Sequence, residues 1–362
     1  MPITYPHWGT LTHLIEILLA ELGRTDIVKP KKPNNETIKL GARYSPEFIC
    51  TPFKLVLGTF IEALENGATE LATGGTQGQC RFGYYWPVQK LILEDLGYEF
   101  KFIPLDHADS LKFVRTLKNE ISNGYNWLKI IKALRITWAK YECIEIVEKL
   151  TNYYRAIEQE RGVTDKLASK LYSKIKEVQG MKNIKHLKMQ IPRIFKDEIE
   201  VIEDANPLKV AIVGEIYVVM EPALNYEINR RLNELGVVAK TAINLRNYID
   251  PGERFNPFKK SHNKKVLEKA KPYLEYSCGG DAQASIGETI IHKENGWDGI
   301  IHLYPFTCMP EIIARNILPK VSKDHGIPVL SLIFDEQTAE AGIQTRLEAF
   351  VDLIDRKREN NN

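Results

Sequence analysis

Apolar residues recur along this chain at two spacings, and the alternation between them predicts its elements. Helical spacing runs from Leu11 to Leu22 and ends at Gly23, then returns from Pro52 to Asn66 and stops at Gly67. Thr69 to Thr73 reads as a short buried strand entering the Gly74-Gly75 loop. Trp86 to Leu96 reads as a helix closed by Gly97, and Tyr98 to Leu105 as the next strand. Strand, loop, helix, strand is the unit of a parallel sheet, whose ligand sites lie beyond the carboxyl ends of the strands.

The pattern changes from Ser110 to Asp204, where glycine and proline thin out and Lys, Glu and Leu/Ile recur three and four residues apart. Ile130 to Tyr154 and Thr164 to Val178 are expected as two long amphipathic helices broken near Gly162. Their charges are expected to form a solvated face, with a partner-docking surface as the alternative. Leu208 to Val213 then opens a second α/β pattern. A helix is expected from Ala223 to Leu235, a strand from Val237 to Thr241 and a helix around Lys264 to Ala270. A strand from Gly299 to Leu303, a helix from Pro310 to Val321, a strand from Pro328 to Ile333 and a closing helix from Thr345 to Ile354 complete it. The expected organisation is a first α/β domain over 1–109, a helical insert or connector over 110–204, and a second α/β domain over 205–362. Each α/β domain is expected to present cysteine loops toward a shared cleft.

Composition narrows the function classes. The 362-residue length favours more than one domain. A net charge of +2 gives no electrostatic case for nucleic acid or an anionic membrane. No apolar run has the length of a membrane span, and the start, Met1-Pro2-Ile3-Thr4, lacks the features of a secretory signal. Five cysteines, an odd number, argue against a disulfide framework and for a reducing cytoplasm.

Three of those cysteines carry the candidate chemistry. They stand in Ser45-Pro46-Glu47-Phe48-Ile49-Cys50-Thr51-Pro52-Phe53-Lys54, in Gly78-Gln79-Cys80-Arg81-Phe82-Gly83-Tyr84-Tyr85 and in Pro305-Phe306-Thr307-Cys308-Met309-Pro310-Glu311. A proline two residues after Cys50 and after Cys308 marks a helix start. A helix start offers free amide donors and a positive dipole, which favour a thiolate and can hydrogen-bond sulfide. Arg81 and Lys54 add positive charge. Spacing alone leaves open three unrelated cysteines, since no C-x-x-C pair occurs and zinc ribbons and ferredoxin-type runs are disfavoured. Cys143, in the helical region, is expected to be an ordinary half-buried cysteine.

The three strings resemble those of the 2-hydroxyacyl-CoA dehydratase and benzoyl-CoA reductase component family, in particular its branch related to the activase-associated domain of large activator proteins. The stretch Ile327-Pro328-Val329-Leu330-Ser331-Leu332, with Asp335-Glu336 and Thr345-Arg346-Leu347-Glu348-Ala349-Phe350, is similar to the family's carboxy-terminal signature. The resemblance implies two flavodoxin-like domains with parallel sheets, plus the helical insert, and a [4Fe–4S] cluster held by Cys50, Cys80 and Cys308 with one iron open. Gly78 and Arg81 are implied near that cofactor. The partners implied are an ATP-dependent activator protein with its own cluster, a second copy or a related subunit as dimer partner, and a small-molecule substrate that is reduced or dehydrated. Some relatives hold a double-cubane cluster on six cysteines; five in this chain exclude that within one subunit. A noncatalytic cluster-carrying or electron-transfer subunit is the alternative, and a structural zinc protein the second.

Further residues carry double readings. Glu47 and Glu311, each three residues from a cysteine, can serve as catalytic bases at the open iron or as helix-start acids. Cys278, before Gly279-Gly280, lies in a loop where the family pattern places no ligand. His302, on a buried strand, is expected to be a satisfied core histidine, and His7 is a weak pocket residue. Asp335, Glu336 and Arg346 pair structurally or act functionally, and Tyr84 and Tyr85 wall a cleft or pack.

Overall fold

The computed structural model describes residues 1–75, 80–106, 109–248 and 262–360. The chain is a mixed α/β protein with two parallel sheets and divides into two compact units. The first contains Met1–Ile49, Phe53–Tyr154 and Glu158–Glu200; the second contains Cys50–Pro52, Arg155–Ile157 and Val201–Asn362. The helices between Ser110 and Glu198 thus belong almost wholly to the first unit.

In the first unit, β1 (Ile3–Thr4), β2 (Glu70–Gly74) and β3 (Lys101–Leu105) lie side by side and parallel. Ile27 adds a parallel bridge to Ile3, on the edge of β1 away from β2. Counting that bridge, the spatial order is 2-1-3-4 in chain sequence. Beyond the sheet, Trp127–Ile157, Val163–Glu177 and Met181–Glu198 bury a common apolar seam. Val147, Leu167, Leu171, Ile184, Leu187, Ile191 and Phe195 form its centre, and Cys143 lies among them fully buried. It is more deeply buried than the half-buried cysteine expected, and burial pushes its thiol up to about 11, as in an unreactive core cysteine.

In the second unit, β4 (Leu208–Gly214), β5 (Val237–Thr241), β6 (Gly299–Pro305) and β7 (Val329–Phe334) pair in parallel in the order β5-β4-β6-β7. In chain sequence this is again 2-1-3-4, the flavodoxin order without its last strand. The strands read as nearly continuous apolar runs because helices cover both faces of such a sheet. The strand order reverses between β4 and β6, and in open α/β sheets that reversal opens a crevice at the carboxyl ends. Gly214 ends β4 there at φ 136°, and a Cβ on it would meet the Leu303 carbonyl oxygen at 1.8 Å. Only glycine fits this approach.

One expectation about helices changes. The single helix expected from Ala223 to Leu235 is two short ones, Pro222–Asn225 and Ile228–Glu234, preceded by another at Ile216–Met220. Tyr226 and Glu227 adopt left-handed backbone at φ 55° and 56°, which breaks the run. The helix expected around Lys264 to Ala270 is present as His262–Ala270, and it is followed by Ala282–Glu294.

A helical pair sets the first cysteine loop. Asn34 caps Asn35–Tyr44 by accepting the Glu36 and Thr37 amides, and the Thr37 hydroxyl accepts the Asn34 amide in return. That helix crosses Thr51–Glu65 with the backbones in contact. A Cβ on Gly41 would lie 1.7 Å from the Lys54 carbonyl oxygen, and one on Gly58 would lie 2.0 Å from that of Thr37. Gly41→Ala is therefore expected to force the helices apart and cost about 1–3 kcal/mol or more by overpacking. Urea denaturation checks this, with Gly342→Ala as the control because its Cβ would meet open space.

Candidate functional site

All three cysteines directly precede a helical turn. Cys50 comes before Thr51–Glu65, Cys308 is the N-cap of Met309–His325, and Cys80 is the N-cap of the 3₁₀ turn Arg81–Tyr84, which runs into Tyr85–Asp95. Pro52 and Pro310 take the second helical position, where a missing N–H costs nothing. The sequence reading of local structure at the cysteines therefore holds.

The structure brings Cys50 and Cys308 together in the second unit. Both are buried and neither is in a disulfide. The Phe334 carbonyl, at the end of β7, accepts the Thr51 hydroxyl at 3.2 Å and the Phe306 amide at 2.9 Å. One acceptor thus ties the residue after Cys50 to the loop before Cys308. The two thiols are close enough that charge on Cys50 disfavours charge on Cys308. Cys80 belongs to the first unit and is half-exposed. Gly78 lies outside the described residues. Arg81 donates to the Phe48 carbonyl at 2.9 Å, fastening the segment before Cys50, where Phe48 holds a left-handed φ of 57°.

Around Cys308 the surroundings are acidic. Burial pushes its thiol far up, and the charges of Glu215 and Glu311 push it further; the Glu311 backbone N–H opposes them. The expected helix-start preference for thiolate is therefore outweighed at this position. Glu215, the residue after β4, is raised to about 7, chiefly by burial and also by Glu311, although it accepts the Val218 amide at 2.9 Å. Asp281 lies well above the usual carboxylate range from burial and the charges of Glu311 and Glu215, with its Oδ2 accepting the Ile216 amide at 3.0 Å. Cys278 is raised by burial and by Glu311. Gly280, at φ 53°, sets that loop against Pro310, since a Cβ there would lie 2.9 Å from the ring.

Glu311 and His302 form a hydrogen-bonded pair with both side chains at 0% exposure. His302 Nε2 lies 2.8 Å from Glu311 Oε2, which also accepts the Ser285 hydroxyl at 2.9 Å. His302 Nδ1 is 3.2 Å from Ser331 Oγ on β7, its register partner. The imidazole stacks on Tyr304 at 4.9 Å. His302 is thus the satisfied core histidine expected from the sequence, and its partner is one of the two acids singled out as catalytic. Glu311 Oε1 is buried with no hydrogen-bond partner. Glu47 is exposed in the first unit.

Sequence reasoning missed Glu215 and Asp281. Each follows a buried strand or a glycine turn, and only the topology reveals that they converge on the β4–β6 edge. His302 gave an available signal, because an imidazole in an apolar strand requires a buried partner. Asp335 accepts the Thr338 hydroxyl and the Gln337 amide, an Asx turn at the end of β7, so its role is structural.

Among the described residues, no three His, Cys, Asp or Glu side chains are set to hold a metal ion, and no helix is long and apolar enough to cross a membrane. Compared with known proteins, the chain matches no family model and no curated protein.

Thr51→Val is expected to leave the Phe334 carbonyl with one donor, lowering stability by about 0.5–1.5 kcal/mol. It is also expected to speed alkylation of Cys50. Denaturant titration and mass-spectrometric mapping of iodoacetamide labelling check both outcomes.

Proposed function

We propose that this chain is an iron–sulfur protein that binds one [4Fe–4S] cluster through Cys50, Cys80 and Cys308, leaves one iron open, and accepts low-potential electrons from an ATP-dependent activator protein. The observation that carries the proposal is the proximity of two buried cysteines outside any disulfide, Cys50 and Cys308, at the carboxyl edge of the second sheet, where its strand order reverses. Ligands of α/β sheets collect at such an edge. The resemblance of the three cysteine strings supplies the cluster type and Cys80.

The residues at this edge fit such a group. Soft sulfur donors suit iron–sulfur clusters. Cys308, surrounded by acids, keeps its proton at neutral pH unless a cation stands against the sulfur, and a coordinating metal removes that proton outright.

When bound, the cluster would supply an electron donor and a Lewis acid at its open iron. The chain's own residues would bind and orient. Burial at the β4–β6 edge excludes water, Phe334 holds the two cysteine segments, and Glu311, fixed through Oε2, keeps Oε1 for a hydrogen bond to a small ligand. The substrate would be a small molecule that is reduced or loses water, 2-hydroxyacyl thioesters being one class the resemblance suggests. A second copy or a related subunit is the proposed dimer partner. Five free cysteines suit a reducing cytoplasm. A noncatalytic cluster carrier is the second reading, supported by the exposure of Glu47, one of the two acids singled out as catalytic bases.

Anaerobic reconstitution with iron and sulfide is expected to load about four of each per chain. Cys50→Ser and Cys308→Ser are each expected to lower loading severalfold, whereas Cys143→Ser leaves it unchanged. Equal loading of all variants, or zinc in place of iron after anaerobic purification, would contradict the proposal. Turnover of acyl thioesters with an added activator separates enzyme from carrier.

A further inference from the structure

Part of the first unit exposes apolar side chains that its own core does not use. The stretch comprises Ser110–Thr116, its continuation as a π turn over Leu117–Ile121, and the start of Trp127–Ile157. Leu117, Ile121, Ile130 and Ala133 supply its core-facing side. On the outward side Leu111 is 71% exposed, Trp127 47%, Leu128 77% and Ile131 50%. Single exposed apolar residues are ordinary, whereas several large ones together mark an interaction site.

Helical spacing and one ring contact make these residues continuous. Leu111, Arg115 and Lys118 follow one another at steps of four and three and share a face. Lys118 Nζ lies 5.4 Å from the centre of the Trp127 ring, which joins that face to the next helix. From Trp127 the row runs to Ile131 and Arg135 in steps of four, with Leu128 and Lys132 in the row beside it.

The surrounding charge has one sign. Six cations and one acid stand between Ser110 and Ile136, a concentration that the whole-chain charge of +2 conceals. Lys112 reaches Asp106, and the acid, Glu120, pairs with Lys101. Arg115, Lys118, Lys129, Lys132 and Arg135 form no ion pair among the described residues. Charge complementarity therefore calls for an anionic occupant. A second copy meeting through the same face would set like charges against each other. Protein interfaces favour arginine and are depleted of lysine, yet three of these five cations are lysines. Lysine suits a bilayer surface, where its stem lies along apolar groups and its ammonium stays among headgroups. Leu111 and Leu128, mostly in water, project far enough to enter such a layer.

We propose that this face of the first unit docks on an anionic lipid bilayer. Leu111, Trp127, Leu128 and Ile131 enter the boundary between headgroups and acyl chains, and the five cations contact lipid phosphates. Insertion and charge attraction add, which gives reversible binding that salt weakens. The contact is peripheral, since no helix among the described residues is long and apolar enough to cross a membrane. None of these residues belongs to the proposed cluster site, so the two readings stand or fall separately.

Sedimentation of the full chain with vesicles tests the proposal. One set is phosphatidylcholine alone, and the other includes phosphatidylglycerol as about a third of the lipid. Binding to the anionic set is expected to be about tenfold tighter, and to weaken severalfold at high salt. Trp127→Ala with Leu128→Ala keeps the charge and is expected to lower binding about tenfold. Lys132→Glu with Arg135→Glu is expected to lower it by about as much. Lys182→Glu with Lys185→Glu makes the same change in charge on Met181–Glu198 and is expected to retain most of the binding. All six positions are exposed, and unchanged circular dichroism confirms that the variants fold. No binding to anionic vesicles overturns the proposal and leaves the face to an acidic protein. Equal losses in the two charge-swapped variants reduce the effect to net charge and also overturn it. Binding that Trp127→Ala with Leu128→Ala does not weaken overturns it too, because the apolar residues then play no part.

Discussion

The cost of burying acids and thiols in one place governs the second unit. Cys308, Glu215, Asp281 and Glu311 converge where β4 and β6 end, and their charges disfavour one another. A buried carboxylate without a partner is expensive enough that it usually holds its proton instead. The arrangement persists because the fold supplies particular compensations. Backbone amides of Ile216 and Val218 cap Asp281 and Glu215, and His302 and Ser285 hold Glu311. Next to them, the glycine at 214 lets β4 approach the Leu303 carbonyl, which accepts the Glu215 amide at 3.0 Å.

From that edge the local architecture follows in order. The reversal of strand order creates the crevice, β6 delivers Cys308 to it, and the end of β7 supplies the carbonyl that ties in Thr51. Three residues, Cys50–Pro52, are counted with the second unit although the chain on either side belongs to the first. Before them, the crossing of two helices at Gly41 and Gly58 fixes the approach of the chain, and Arg81 secures the turn at Phe48.

Much of the α/β fold was legible in the sequence because its punctuation is strong. Gly23, Gly67, Gly97 and Gly236 each follow a helix with a positive φ, and the buried strands read as apolar runs. The helix Asn35–Tyr44 was missed because its polar composition hides the amphipathic pattern, although the Asn34-to-Thr37 capping box was available as a signal. Met181–Glu198 was missed because Pro192 stands inside it, where proline ordinarily argues against a helix. The break at Tyr226 and Glu227 had no signal, since neither residue favours left-handed backbone. At the site, the helix-start placement of the cysteines was legible and the acidity around Cys308 was not. Acids 66 residues apart, such as Glu215 and Asp281, meet only through the sheet topology.

The central claim is that three thiolates leave one iron of a cluster free to bind a small ligand. Mössbauer spectroscopy of the anaerobically reconstituted, iron-enriched chain tests it most directly, with spectra taken before and after adding a small iron ligand such as cyanide. The account predicts that roughly a quarter of the iron signal, one site of a cubane, shifts on addition while the rest stays in place. A spectrum in which no iron shifts would contradict an open site, and one in which all the iron responds alike would contradict a cluster held by three cysteines.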